Sequence, residues 1–248
     1  MSIRNSIKQV LLFISSLRND KKSKILFYHD IYDSENYKAL DADVCMGTHI
    51  SLFQEHLSII KQEGYEIVDE ITKPERQIAL MFDDGFRGIY DVREFFYSNN
   101  IRPTIFLAAG YIGEQSILTP QEIIELQAHG FHFECHGWSH KPLTVFNDEE
   151  LKKELLESKR FLSDLVGKDI TQICLPLGYY SDHLIEVIRS FGYKEIYSSV
   201  PGNYYKTVGP GLRTRNLCQF ATAREVKMIL RGGNEVLRGH FLRLHHKF

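Results

Sequence analysis

Ile78-Ala79-Leu80-Met81-Phe82-Asp83-Asp84-Gly85 joins five apolar residues, with no polar alternation, to two carboxylates and a glycine. A strand on a half-wetted sheet alternates apolar with polar residues. An unbroken apolar run suits a strand covered on both faces, as in a parallel sheet wrapped by helices. The abrupt polar end puts Asp83 and Asp84 just past that strand. Adjacent carboxylates repel and lose hydration on burial, so a fold that keeps them offsets the cost with a cation or with hydrogen bonds. A functional site and a plain aspartate turn before Gly85 both meet that requirement.

Outward from this stretch, short apolar runs alternate with capped helical segments, the pattern of a mainly parallel α/β sheet or barrel. Upstream, residues 25–28 read as a strand. Ser51 opens a helix with Gln54 three residues on, Phe53, Leu57 and Ile60 share a face, Gly64 ends it, and residues 65–68 form a strand. Downstream come a helix over 91–98, a strand over 104–108, and a helix capped by Thr119, Pro120 and Glu122. A strand over 131–135 follows, then a long helix capped by Asn147 and Glu150 and stopped by Gly167. Residues 170–175 and 195–200 read as strands, with Ser181 opening the helix between them and Thr222 with Glu225 beginning the last capped helix. At 248 residues one domain accommodates this, divided as an N-terminal helical segment (1–24), a barrel (25–220) and a helical tail (221–248). In parallel barrels the carboxyl ends of the strands carry the active site, so polar clusters ending different strands can meet there.

Composition narrows the function classes. Hydrophobic residues at 43% and charged residues at 25% argue against disorder, and a formal net charge of −2 leaves no basic footprint for nucleic acid. Cys45, Cys135, Cys174 and Cys218 form no CxxC pair and read as free thiols in a reducing compartment. The apolar run 10–14, preceded by Arg4 and Lys8 and interrupted by Ser15 and Ser16, is too short to span a membrane. It reads as a packed or membrane-surface helix rather than a cleaved peptide. The expectation is a cytoplasmic chain with no transmembrane segment, with peripheral membrane association open.

His136 and His140 follow another predicted strand at a spacing that lets two imidazoles reach one metal if the segment turns, and Gly137 argues against a regular helix there. Two unrelated surface or core histidines would look the same. Joined by Asp84, the pair forms a two-histidine, one-carboxylate set that leaves coordination positions open. Trp138 reads either as a sugar-stacking ring or as core. His29 and Asp30 line a groove or make structural hydrogen bonds. Tyr179 and Tyr180 suit a groove wall, and Arg213 and Arg215 bind an anionic group or are solvated.

These residues carry a resemblance. Met81, Phe82, Asp83, Asp84, Gly85 resembles the TFDDG motif of the polysaccharide deacetylases, the NodB-homology or carbohydrate esterase family four. His136 to His140 with Pro142 and Leu143 resembles the family's HxxxH motif, and Cys174, Leu175, Pro176, Leu177, Gly178 its RxPxG motif. Leu26 to Ile31 is similar to a YHxI-type start. Order and spacing agree over about residues 25–217. The resemblance implies a distorted (β/α) barrel with fewer than eight strands. It also implies a divalent metal held by Asp84, His136 and His140, zinc by default with cobalt, nickel or iron also accepted by these ligand types. Asp83 would be the general base, the Leu177 N–H an oxyanion donor, and His29, Trp138, Pro176 and Tyr179 groove residues against an amino-sugar or glycan substrate.

The implied activity is removal of an N-acetyl group from an amino sugar of a surface polysaccharide or its precursor. A related sugar deformylase, or a catalytically weak glycan-binding or assembly protein on the same fold, is the alternative. Two departures bear on it. Cys174 stands where the motif arginine orients the base, and the family's final catalytic histidine has no clear counterpart, leaving the general acid unassigned. The helical spacing of Val236, Leu237, His240, Phe241 and Leu244 predicts that the tail is a helix outside the site, with His245 not catalytic.

Overall fold

The computed structural model describes residues 3–33, 46–209 and 211–247. Cys45 lies outside them. Six parallel strands stand side by side: β1 Lys24–Tyr28, β2 Gln77–Phe82, β3 Thr104–Leu107, β4 His132–Cys135, β5 Gln172–Cys174 and β6 Glu195–Tyr197. The seventh stave is interrupted. Its first half, β7 Leu212–Arg213, pairs with β6, and its second half, β8 Asn216–Leu217, pairs with β1. One short segment therefore links the two ends of the sheet and closes a seven-staved distorted (β/α) barrel, fewer than the eight of a regular one.

The pleat explains what each residue faces. Ile25, Phe27, Ala79, Met81, Phe106, Cys174 and Tyr197 form one core inside the barrel. Their neighbours Leu26, Tyr28, Leu80 and Phe82 join the larger core between barrel and helices. Every residue of β2 is buried, as its unalternating sequence requires. Period two carries Ala79 and Met81 on to Asp83, which puts that carboxylate on the interior side.

The helix caps at Thr119–Glu122, Asn147–Glu150 and Thr222–Glu225 are complete capping boxes, and Ser181 caps Asp182–Ser190. Two boundaries differ from expectation. Strand Gly47–His49 runs directly into helix Ile50–Gln62, so the extended residue at the junction is His49. Its imidazole, rather than Ser51, accepts the first N–H. The helix expected over 91–98 is two pieces, Gly88–Asp91 and Arg93–Ser98, broken at Val92. The strands expected over 65–68, 104–108, 131–135, 170–175 and 195–200 are shorter than their apolar runs suggest, while β1 and β2 each begin one residue earlier than expected.

Helix Ile3–Ser16 packs on Ala223–Leu230 and on the 233–237 turn. The tail is helical, Arg238–His245, as its spacing predicts. Glu63 draws these parts together, accepting from Lys21 and taking two bonds from Arg231, both 2.8 Å.

Candidate active site

Two strand ends meet at the barrel's carboxyl rim. Asp84 follows β2, His136 follows β4, and the segment after His136 turns at Gly137 (φ 77°) so that His140 comes back beside it. Asp84 Oδ1 lies 2.8 Å from His140 Nε2 and 3.2 Å from His136 Nε2. Asp84, His140 and Leu177 adopt left-handed backbone conformations, with φ of 72°, 56° and 57°. Non-glycine residues rarely do so, and such strain gathers at functional sites.

The turn is held from outside. Glu154 is nearly buried on helix Asp148–Val166, and one of its oxygens accepts the N–H groups of Trp138 and Ser139 at 2.9 and 3.0 Å. On the opposite side, the Ala109 and Gly110 N–H groups bond the carbonyls of Gly137 and Trp138. Sequence reading missed Glu154; its only signal is a carboxylate on the apolar stripe of Leu151, Leu155 and Leu162.

The donor set fits a divalent cation. His136 Nδ1 lies 2.8 Å from the Cys174 carbonyl, which can only accept, so Nδ1 carries the proton and Nε2 presents a lone pair to Asp84. Asp84 Oδ1 is buried and finds no hydrogen-bond partner among the described residues. An anionic oxygen beside a nitrogen lone pair calls for a positive charge shared between them. Burial alone would push the Asp84 carboxyl up, yet positive charge on the neighbouring imidazoles, the role a shared cation would take over, holds it far below the usual range. Burial likewise opposes protonation of His140, and Asp84 outweighs it, raising that imidazole.

Asp83 is anchored differently, and here Arg215 takes the first of its two expected roles. It is not solvated, and the anionic group it binds is the Asp83 carboxylate. It is fully buried in the gap of the split stave, bonds both Asp83 oxygens at 2.7 Å, donates to the Ser198 carbonyl, and lies 4.1 Å from the Phe27 ring centroid. Burial pushes the Asp83 carboxyl up, but the charge and bonds of Arg215 prevail and hold it below the usual range. Arg215 also donates to Cys174 Sγ at 2.7 Å. The residue replacing the motif arginine thus touches the arginine that does the anchoring, which comes from another strand. Burial lifts the Cys174 thiol well up. Asp83, His136 and Cys174 also lie within metal-sharing distance of one another, but the guanidinium bonded to two of them repels a cation.

The other candidates separate. His29 directly follows the carboxyl end of β1, which places it at the rim, and bonds Gln219 through Nδ1. Asp30 accepts the Ile31 N–H and faces Gly88, where an added Cβ would meet its carboxylate at 2.3 Å. Trp138 is half-buried, edge-on to Phe161 at 5.7 Å. Pro176 is buried, Leu177 exposed, and Tyr179 packs on His245 while Tyr180 is buried. Arg213 pairs with Glu195 through two bonds. Cys135, Cys174 and Cys218 are free thiols.

A parallel barrel with a carboxylate and two imidazoles converging at its carboxyl rim, beside an arginine-anchored aspartate, makes an α/β barrel whose rim carries a donor set that fits a metal. Residues 70–196, half the chain, match the polysaccharide deacetylase family. The chain belongs to that family. It is 23% identical to YxkH of Bacillus subtilis (strain 168) over 199 residues, 75% of this chain and 68% of that protein. It is 26% identical to the peptidoglycan-N-acetylglucosamine deacetylase PgdA of Listeria monocytogenes over 156 residues, 61% of this chain but 31% of that one. Among solved structures, the Streptococcus pyogenes deacetylase PplD, in complex with acetate, superposes with a TM-score of 0.72 over 84% of this chain and 98% of its own, at 20% identity. That likeness concerns the fold.

Proposed function

We propose that this protein is a metal-dependent N-deacetylase acting on an amino sugar within a glycan. The observation that carries the reading is the convergence of Asp84, His136 and His140 next to an Asp83 fixed by Arg215. Asp84, His136 and His140 would hold the metal, zinc by default from a set of two nitrogens and one oxygen. What a divalent cation supplies at such a site is Lewis acidity toward an amide oxygen and a water of lowered pKa.

Asp83 takes the proton of the attacking water. Arg215 occupies one side of each Asp83 oxygen, which leaves further lone pairs to accept it and fixes the carboxylate's direction. The Leu177 N–H, on the strained turn after Pro176, would donate to the developing oxyanion. His29 is an imidazole at the same rim and is our candidate for protonating the departing amine. The anchoring role of Arg215 supports this reading over a merely glycan-binding protein, since it answers the missing motif arginine, one of the two grounds for that alternative; the unassigned acid is the other.

The test is acetate release from N-acetylglucosamine oligomers and peptidoglycan fragments by metal-loaded and chelator-treated protein, with metal content measured in parallel. Acetate release that stops on chelation and returns with zinc supports the reading. Bound metal with no acyl release from any amino-sugar substrate would sink it.

A further inference from the structure

Helix Ile3–Ser16 is packed with its less apolar side inward. Leu12 and Ser16 are buried, Gln9 bonds Glu225, and Ser15 donates to the Gly232 carbonyl. On the other side Ile7, Val10, Leu11, Ile14 and Leu17, spaced three and four apart, are each 40–66% exposed. A contiguous apolar stripe open to water marks an interaction surface.

Charge indicates what the surface meets. Residues 1–19 contain three cations, Arg4, Lys8 and Arg18, and no acid. Residues 236–248 contain three more, Arg238, Arg243 and Lys247, and again no acid, in a chain whose net charge is −2. The two segments are neighbours. The 233–237 turn packs under the first helix, and Lys8, Leu12, Phe220 and Phe241 wall one cavity between them. The nearest acids are engaged, Glu225 by Gln9 and Thr222, Glu235 by Lys206 and Asn203, and Asp20 by the Lys22 N–H. Lys8 acts on Glu225 only through space, and neither it nor Arg18 is in a direct ion pair among the described residues.

We propose that this apolar stripe, flanked by cations, docks the protein on an anionic membrane surface, with the helix lying in the headgroup plane. The inference goes beyond the proposed chemistry and does not depend on it. No helix among the described residues is long and apolar enough to cross a bilayer, so the contact is peripheral.

The test is co-sedimentation of the full chain with phosphatidylcholine vesicles with and without phosphatidylglycerol. Sedimentation should require phosphatidylglycerol and weaken as salt rises. Ile7→Ser, Ile14→Ser and Leu17→Ser combined should lower partitioning by roughly tenfold or more, and Lys8→Ala and Arg18→Ala by about fivefold each. All five positions are exposed, so unchanged melting temperatures keep the comparison valid. His140→Ala should sediment like the parent, which separates this outcome from that of the proposed reaction. The proposal is overturned if the parent stays in the supernatant with anionic vesicles, or if the serine variant sediments equally. A parent that instead doubles in mass through this face, without sedimenting, overturns it in favour of a second copy.

Discussion

Replacing Arg215 by Met removes the charge that balances Asp83 while keeping most of the volume packed against Phe27. Asp83 is 3% exposed and both of its oxygens lie 2.7 Å from the guanidinium, so the variant leaves a buried carboxylate without its partner. Breaking one side of a buried pair costs about 3–5 kcal/mol. Loss of the bond to the Ser198 carbonyl adds about 1 kcal/mol. Against a total stability of roughly 5–15 kcal/mol this is a large fraction, and the variant should denature at much lower urea. The decisive comparison is the cycle with Asp83→Asn. With both charges gone no uncompensated ion remains, so Arg215→Met with Asp83→Asn should be more stable than Arg215→Met alone by at least about 2 kcal/mol. Arg215→Lys keeps the charge but loses the fork and should fall between parent and Met variant. Its deacetylase turnover should drop while metal affinity stays near the parent's. An Arg215→Met variant within about 1 kcal/mol of the parent, or a double variant no more stable than the single, would refute the anchoring argument.

The neighbouring aspartates should part company. Asp83→Asn is expected to retain zinc by calorimetric titration and lose roughly two to four orders of magnitude in turnover, whereas Asp84→Asn and His140→Ala should each bind zinc much more weakly; identical titrations would undo the division of roles. Leu177→Gly should keep most of its activity because the N–H remains and the left-handed turn suits glycine, while Leu177→Pro, which lacks that N–H and cannot reach φ 57°, should lose it. Glu63 is held down to about 2, from an ordinary 4.5, by hydrogen bonds from Arg231 and Lys21 that outweigh burial. A depressed carboxyl stabilises the fold above the unfolded value and loses that contribution as pH falls from 4.5 toward 2. Glu63→Gln should therefore cost roughly 2 kcal/mol at neutral pH, the partly exposed cations reducing the full linkage value, and the gap between variant and parent should close as the solution is acidified. A gap that stays constant with pH would show that the carboxylate contributes through packing alone.

What could be read from the sequence was what is settled within a few residues. The Thr119–Glu122 and Asn147–Glu150 boxes and the Gly167 stop are local hydrogen-bond and φ requirements, and they stand where reading put them. The unalternating β2 run announced a two-sided core because burial on both faces leaves no polar positions. The later strands came out shorter because barrel closure sets where each ladder can pair, which no single strand's composition records. The anion that Arg215 binds was not legible for a similar reason: Asp83 lies 132 residues away. A cation was legible as a need, since Cys174 had taken the motif arginine's place, but which arginine met it depended on how the last stave splits.

That split is the physical link between fold and site. If residues 212–217 formed one continuous strand, backbone ladders would occupy the whole stave. Instead pairing passes from β6 to β8's neighbour β1, and Thr214 and Arg215 fall in the gap, where the Arg215 N–H bonds the Val200 carbonyl. The guanidinium enters the barrel there, against Phe27 and Phe106, and ends on Asp83. A charged side chain is tolerable inside that apolar ring only because a carboxylate is fixed opposite it, and two adjacent aspartates are tolerable at the rim only because one has a guanidinium and the other shares with two imidazoles a donor set that fits a cation. Each costly group is the other's compensation, so the closure of the barrel and the orientation of Asp83 are one structural solution.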